Sequence, residues 1–291
     1  MELKEIRRKI ESVSNIGKLT SALETLSALK MKKAQKIALQ SRPFSQKIGH
    51  ILRHLEPALR EIREPILKRK VKNILAVVVA SDRGFCGPFN QNILRLAEKE
   101  IKNLEIETPV SILAVGKKAT TFFNKKGKKI EYNFFGIGDY GELEETKPIS
   151  DFMVRVFLEN KFQRVYLIWT NFISTFFQKP NVVQLLPMRN ETLQQFIKED
   201  ITHLEAVAPV IEPSVETVYW EIVPQLIEYL LFQCILESNA SEHSARMIAM
   251  KNASDNARNR VVELTLDYNK ARQEKITREV CEISSAKEAL E

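Results

Sequence analysis

The sequence predicts an α/β fold class, with a long antiparallel coiled coil of N- and C-terminal helices and a central domain built on a mainly parallel sheet. Two observations support this prediction. All nine glycines lie between Gly17 and Gly141, and no proline follows Pro224, so the ends of the chain lack the residues that interrupt helices. Between the ends, runs of β-branched residues alternate with helical stretches, which is the order typical of α/β domains.

The N-terminal segment, residues 2–42, is predicted to be one helix. Its apolar residues recur at intervals of three or four: Leu3, Ile6, Ile10, Val13, Ile16, Leu19, Leu23, Leu26 and Leu29. Consecutive intervals of three turn the apolar face around the helix by roughly 140° between the two halves of this set. A two-stranded coil keeps a fixed seam. The drift therefore predicts a helix that coils with one partner near its start and meets another surface further along.

The middle of the chain carries the strand signals. Strands are expected at 74–80, 110–115, 130–135, 165–169 and, after the turn at Pro180-Asn181, at 182–186. Helices are expected at 89–104, 118–124 and 149–159. The runs at 74–80 and 110–115 are continuously apolar, as in strands that are buried on both faces of a sheet. This alternation predicts a largely parallel sheet.

The C-terminal segment repeats the helical pattern. Small side chains recur every four residues and indicate close helix packing: Ala245, Ala249, Ala253 and Ala257. A seam of apolar residues follows them: Val261, Leu264, Tyr268, Ala271, Ile276, Val280 and Ile283. The two long helices most simply pair with each other, because intramolecular pairing avoids the entropy of association.

These segments predict three regions. They are an N-terminal coiled-coil helix at 1–60, a central α/β domain at 73–208 and a C-terminal coiled-coil helix at 214–291. A stretch punctuated by Pro209, Pro213 and Pro224 marks the return from the central domain to the long helix.

Composition narrows the class of protein. The chain is 44% hydrophobic and 28% charged, which excludes a disordered chain. Residues 1–72 hold 18 Lys and Arg against 7 Asp and Glu, a net charge of +11, whereas the whole chain carries +7. A basic helix of this kind suits nucleic acid, an anionic membrane surface or an acidic protein partner.

No catalytic, cofactor-binding or metal-binding set stands out in the sequence. The segment 81–87, Ser-Asp-Arg-Gly-Phe-Cys-Gly, follows the first strand, but it matches neither G-x-G-x-x-G nor a P-loop. Cys86 has no histidine nearby and is expected to be a small buried side chain. A nucleotide-dependent α/β enzyme with coiled-coil arms is one alternative. A coiled-coil nucleic-acid binder is another, although residues 2–42 lack aromatic side chains that stack on bases.

Several motifs resemble those of one known family. They are Leu3–Val13, the segment 81–87 with Phe89-Asn90, Ser241–Ala253 with Asp255-Asn256, Tyr268–Gln273 and Ile276–Val280. Together they cover essentially the full length in the expected order. The chain resembles the gamma subunits of F-type ATP synthases, the rotor subunits of the central stalk.

The resemblance implies a fold and a function. It implies a Rossmann-like central domain without a nucleotide site, no cofactor, and no catalysis by the chain itself. The implied role is to couple ion flow through the membrane sector to ATP synthesis or hydrolysis. The implied partners are the alpha and beta subunits of the catalytic ring, the epsilon subunit and the c-ring, with no nucleic acid. The implied location is the cytoplasmic face of the cell membrane, as a peripheral protein of the complex.

The resemblance also implies residues that touch the ring. Arg272 and Gln273 match positions that hydrogen-bond to beta-subunit loops, and Arg246, Thr277 and Glu279 match positions associated with coupling. The chain departs from the family's common pattern at Gly17, Ser21, Leu23 and Pro88. Gly17 is expected to weaken its helix by about 0.5–1 kcal/mol relative to alanine.

Overall fold

The computed structural model describes residues 3–54, 66, 69–138, 142–188, 212 and 214–288. Within them the elements are, in order, α1 (Leu3–His54), β1 (Ile74–Val79), α2 (Phe89–Glu105), β2 (Val110–Val115), α3 (Lys117–Lys125), β3 (Ile130–Phe134), α4 (Leu143–Leu158), β4 (Arg164–Phe172), β5 (Gln178–Leu186) and α5 (Val215–Glu288). The predicted fold class is confirmed. The chain divides into two compact units, called here the coil unit (Met1–Ser27 with Arg246–Glu291) and the α/β unit (Ala28–Ala245).

The α/β unit is built on a five-stranded sheet of order β3-β2-β1-β4-β5. Strand β1 pairs in parallel with both β2 and β4, and Val77 lies opposite Leu113 on one side and Leu167 on the other. Every residue of β1 is buried, as its continuous apolar run predicts. Strand β5 runs antiparallel to β4 and forms one edge of the sheet.

Helices cover both faces of this sheet. On one face α2 and α3 contribute buried side chains such as Ile93, Ile101 and Phe123. On the other face α4 contributes Ile149 and Met153, and α5 contributes a run of buried apolar residues: Tyr219, Val223, Leu226, Ile227, Leu230, Leu231 and Ile235. Residues 219–235 of the long C-terminal helix are therefore part of the core of the α/β unit.

Four prolines lie inside elements rather than at their ends, the first of them Pro43 of α1. Strand β5 begins at Gln178, four residues before the predicted start, and includes Pro180. An edge strand accepts proline because one side of it needs no ladder hydrogen bond. Helix α4 begins at Leu143 and includes Pro148. Helix α5 begins at Val215, so Pro224 lies within it and does not mark a boundary. Burial of the neighbouring Val223 compensates for the backbone hydrogen bond that this proline cannot donate. The expected boundary residues Pro209 and Pro213 lie outside the described residues.

In the coil unit, α1 and α5 each bury a face with alternating intervals of four and three. On α1 the buried or half-buried positions are Ile6, Ile10, Val13, Gly17 and Thr20, and on α5 they are Met250, Ser254, Ala257, Val261, Leu264, Tyr268 and Ala271. This is the spacing of a coiled-coil seam. Of the alanines that recur at intervals of four, Ala257 belongs to this seam, whereas Ala249 and Ala253 each lie one position before a seam residue, Met250 and Ser254.

The drift of the apolar face along α1 moves some of its apolar side chains out of the coiled-coil seam. Ile16, Leu19 and Leu26 leave the seam and are 52%, 62% and 47% exposed. Their places in the seam are taken by small or polar residues, with Gly17 half-buried and Thr20 and Ser27 buried. Ile16, Leu19 and Leu26 form a stripe of exposed apolar side chains, and the second surface that the drift predicts for α1 stays a prediction.

At Gly17 the two helices of the coil unit lie close together. A β-carbon at position 17 would lie 3.3 Å from the Cβ atom of Ala257. The Ser254 hydroxyl donates a hydrogen bond of 3.4 Å to the Gly17 carbonyl oxygen. Glycine at position 17 lowers the intrinsic stability of α1 as a helix. It also allows the close contact with Ala257, which a larger residue at position 17 would push apart.

We expect Ala257→Leu to lower the free energy of unfolding by about 1–3 kcal/mol, because Ala257 is buried beside Gly17 and a larger side chain there overpacks the contact between the two helices. Chemical denaturation followed by circular dichroism measures this change. Ala22→Leu, at an exposed position of α1, is the matched control and should be nearly neutral. Equal stability of Ala257→Leu and the unsubstituted chain would show that the helices are further apart than described.

Glu131 of β3 forms ion pairs in the α/β unit with Lys161, which follows α4, and with Lys129 at 3.3 Å. The hydrogen bond from Lys161 is the main cause that lowers the pKa of the Glu131 carboxyl below its usual value of 4.5, with Lys129 adding to the effect. A carboxyl with a lowered pKa stabilises the fold above its unfolded pKa, and the contribution is lost as the pH falls through the folded value.

We therefore expect Glu131→Gln to melt at a lower temperature than the unsubstituted chain at neutral pH. The difference should shrink as the pH falls below about 4.5. Thermal melts at a series of pH values test this, with Glu107→Gln, which removes an exposed carboxylate, as the control. A difference that is the same at every pH would contradict the assigned ion pairs.

Candidate functional site

The α/β unit has a crevice at the carboxyl ends of its parallel strands. In open α/β sheets ligands bind at this edge, next to the strand where the order of the sheet reverses. Here that strand is β1, which lies between β2 and β4. The crevice is bordered by the loops that follow β1, β2 and β3. It is the place where the alternative function, a nucleotide-dependent enzyme, would need its site.

Asp82, in the loop after β1, ties these loops together. Its Oδ1 accepts a hydrogen bond of 2.8 Å from the backbone N–H of Lys117, the first residue of α3, and its Oδ2 accepts one of 2.9 Å from the N–H of Gly136. The start of a helix is where α/β proteins commonly bind phosphate. The side chain of Asp82 occupies these donors itself.

Gly116 allows the loops to meet. Its φ of 93° lies in the left-handed region, and a β-carbon there would lie 2.1 Å from the carbonyl oxygen of Ala80. Lys118 N–H donates to the Ser81 carbonyl at 3.0 Å, and Gly116 N–H donates to the Phe134 carbonyl at 2.8 Å. The approach of the loops is therefore set by backbone contacts as well as by Asp82.

The space that remains in the crevice does not suit a nucleotide. It measures 210 Å³ and is lined partly by Ile235, Asn239 and Glu242 of helix α5. Ligand pockets for small organic molecules typically measure about 300–1,000 Å³. The charged side chains that line the crevice are Asp82, Arg83 and Glu242. Among the described residues no group of three His, Cys, Asp or Glu side chains is placed to hold a metal ion.

Cys86 is buried in the loop between β1 and α2. The Asn90 side-chain amide donates to its sulfur at 3.0 Å, and the thiol packs with Phe89 and Ala245. Asn90 also accepts a hydrogen bond from the backbone N–H of Ser81. These contacts are those of a structural cysteine in a tightly bonded loop, in agreement with the expectation from the sequence.

The predicted ring-contact residues lie in the coil unit. Arg272, Gln273, Thr277 and Glu279 are all exposed on α5, and Arg246 is half-buried. Thr277 donates to the Gln273 carbonyl at 2.9 Å, and Glu279 lies 3.5 Å from Lys275. The structure thus brings four of the five residues onto the last turns of one helix, and Arg246 lies about seven turns earlier, at the roughly 3.6 residues per turn of an α-helix.

The apolar residues near the end of α5 do not continue the seam as predicted. Ile276, Val280 and Ile283 are 51%, 56% and 71% exposed. The contact between Gly17 and Ala257 explains this result, because in an antiparallel pair it places Leu3, the first residue of α1, level with Ala271. Among the residues that the structure describes, none of α1 lies level with the part of α5 beyond Ala271.

Comparison with known proteins identifies the family. The family model described as ATP synthase matches residues 2–290. The ATP synthase gamma chain of Pelotomaculum thermopropionicum is 36% identical over 290 residues and that of Cupriavidus pinatubonensis 39% identical over 289, each alignment covering 99% of both chains. The chain belongs to the ATP synthase gamma chain family. Membership makes it a non-catalytic subunit of the ATP synthase.

Solved structures show the same fold as this gamma-family chain. A chain of the Euglena gracilis mitochondrial ATP synthase, in a structure that includes F1 and the c-ring, aligns with a TM-score of 0.64 at 20% identity, covering 99% of this chain and 94% of the other. A chain of the Tetrahymena thermophila central stalk and c-ring aligns with a TM-score of 0.60 at 23% identity, covering 81% and 99%. Among the described residues, no helix is both long and apolar enough to span a bilayer.

Sequence reasoning missed two features that the structure shows. One is the bridging role of Asp82, which lies within a recognised motif but has no signal that reveals its partners 35 and 54 residues away. The other is a set of exposed aromatic side chains on loops at the carboxyl edge: Phe85, Phe176 and Phe177. The paired phenylalanines, between the strands expected at 165–169 and 182–186, are a visible signal for the second feature.

We expect Asp82→Ala to lower the free energy of unfolding by about 1.5–3 kcal/mol, the range for hydrogen bonds to charged groups. Asp82→Asn is the matched control, since its one carbonyl oxygen can keep one of the two hydrogen bonds. It should lose less stability than Asp82→Ala. Urea denaturation measures both changes, and equal, small losses in the two variants would contradict the bridging role.

Proposed function

We propose that this chain is the rotor of the central stalk of an F-type ATP synthase. In this role it couples ion flow through the membrane sector to ATP synthesis or hydrolysis in a ring of alpha and beta subunits. The observation that supports the proposal most directly is the single helix α5, Val215–Glu288, which is buried in the α/β unit at one end and has no described residue of α1 level with it after Ala271 at the other. The same helix thus contributes to the core of the α/β unit and carries exposed residues at its C-terminal end, residues 272–286, called here the tip of α5.

The proposed partners are the alpha and beta subunits, the epsilon subunit and the c-ring. The exposed stripe on α1 and the tip of α5 offer apolar side chains that are available for contact, including Leu19 and Ile283. A monomeric soluble protein rarely leaves contiguous apolar surface of this kind uncovered. The excess of positive charge in residues 1–72 favours acidic protein surfaces as partners of the N-terminal helix. The proposed location is the cytoplasmic face of the membrane, as a peripheral part of the complex.

The proposed coupling residues are Arg246, Arg272, Gln273, Thr277 and Glu279. A rotor acts by contacting the catalytic subunits differently at each angle, so its contact groups must form and release bonds in every turn. Exposed polar groups on a helix without a partner can do this without disturbing a core. The guanidinium of Arg272 keeps its charge throughout and offers several donors to carboxylate or carbonyl groups.

Mixing the purified chain with alpha and beta subunits tests the proposed function. We expect a stoichiometric complex whose ATPase activity depends on this chain. Recovery of a fully active ring from which the chain is absent would refute the proposal.

Within that complex, we expect Arg272→Ala to lower ATP turnover roughly fivefold or more, the effect of losing a hydrogen bond worth about 1 kcal/mol or more. The melting of the isolated chain should not change, because position 272 is exposed. Arg260→Ala is the matched control: it removes an exposed arginine of the same helix that pairs with Glu263. Normal turnover per assembled Arg272→Ala complex would show that Arg272 makes no coupling contact.

A further inference from the structure

Helix α5 passes three loops at the carboxyl edge of the sheet, all within the α/β unit. They are the β3–α4 loop at 135–138, the β4–β5 turn at 173–177 and the β1–α2 loop at 86–89. We propose that these loops and residues Glu237–Ala245 of α5 form a collar that sets the rotational position of α5 in the α/β unit. The collar keeps α5 from turning under load, an inference that rests on the proposed rotor function.

Each loop makes its own contact with the helix. The Asn239 side-chain amide donates to the Gly138 carbonyl at 3.1 Å. The Ser244 hydroxyl donates to the Thr175 carbonyl at 2.5 Å and accepts from the Gln178 side-chain amide at 3.4 Å. Cys86 and Phe89 pack against Ala245. The contacts therefore reach α5 from three different parts of the sheet edge.

A fourth contact comes from the sheet itself. The Trp169 indole N–H, on β4, donates to the Glu237 carboxylate at 3.4 Å. Because Glu237 lies two residues before Asn239 on the helix, the two side chains leave α5 in directions about 200° apart, at roughly 100° per residue. Contacts in such different directions oppose rotation of the helix about its own axis.

The collar differs in chemistry from the rest of the buried part of α5. Between Tyr219 and Ile235 the helix packs on the sheet mainly through apolar side chains. From position 238 onward the buried side chains are mostly polar, with exposures of 2% or less: Ser238, Ser241, His243 and Ser244. Apolar burial is strong but has no preferred direction. Hydrogen bonds require alignment of donor and acceptor, so the polar collar adds directional contacts to the apolar packing that already buries one face of the helix.

The position of the collar has a parallel in the fold class. In open α/β sheets this edge receives a separate ligand. Here Asp82 occupies the donors at the start of α3, and Asn239 and Glu242 of α5 line the remaining space. The helix thus takes the place of a ligand, and a crevice suited to specific recognition serves to hold one segment of the same chain.

The test uses the complete membrane-bound complex in inverted vesicles, with ATP hydrolysis and ATP-driven ion uptake measured together. Each lost hydrogen bond should raise the population of a displaced helix roughly fivefold. We therefore expect Asn239→Ala and Ser244→Ala each to reduce the ions taken up per ATP hydrolysed, and the double variant to reduce this ratio further. Asn239 is half-exposed, so its truncation leaves the core intact.

Two kinds of control complete the experiment. Asn92→Ala and Asn103→Ala remove exposed amides from α2 of the same unit and should leave the ratio unchanged. Asn239→Gln keeps the amide donor and should retain most of the ratio. If the double variant takes up the normal number of ions per ATP hydrolysed, the collar proposal is wrong. It is also wrong if fewer complexes assemble but those that do assemble show the normal ratio. If the unsubstituted chain does not enter the complex at all, the proposed function fails instead.

Discussion

The close approach of α1 and α5 at Gly17 determines much of the geometry of the coil unit. Only a residue without a side chain allows Ala257 this near, and the contact sets which residues lie opposite each other. With that register, Leu3 is level with Ala271, and no described residue of α1 lies level with the last turns of α5. The same register sends Ile16 and Leu19 outward. A single small residue in the seam thus leaves apolar surface on both helices available for other subunits.

In the α/β unit, the crevice at the carboxyl edge of the sheet, where other proteins of this fold class bind ligands, is occupied by residues of the chain itself. A side-chain carboxylate occupies the backbone donors that would otherwise attract phosphate, and a helix lies where a ligand would enter. The fold class alone would suggest a nucleotide-binding enzyme. The particular residues at the carboxyl edge point to a structural use of the same architecture, which agrees with membership of the ATP synthase gamma chain family.

Much of the fold could be predicted from the sequence, because strong local signals agreed with the final structure. Continuous apolar runs identified β1 and β2, and the absence of breakers identified the long helices. Local signals failed where tertiary contacts decide. Pro180 suggested a turn before β5 but is accommodated at a sheet edge, and Pro224 suggested a boundary but lies inside a packed helix. Pro180 is tolerated because an edge strand has one side without ladder hydrogen bonds, and Pro224 lies in a stretch of α5 whose residues, including Val223 and Leu226, are buried in the core.

The candidate sites show the same division. Resemblance to a family named the exposed residues at the tip of α5, since those lie in recognisable motifs. It did not identify the bridge made by Asp82, nor the collar around Asn239 and Ser244, because both depend on partners far away in the chain. Intervals of three and four on α1 indicated a helix, but the choice of Gly17 and Thr20 for the seam depends on the facing helix as well as on hydrophobicity.

The central claim is that this chain turns within a ring of catalytic subunits. It is tested most directly by watching that rotation. A bead attached to a cysteine introduced at the exposed Glu107, with the exposed Cys281 replaced by serine, would report the angle of the α/β unit in surface-held complexes. We expect continuous rotation in one direction when ATP is supplied. A bead that stays still while the same complexes hydrolyse ATP at a normal rate would contradict the account.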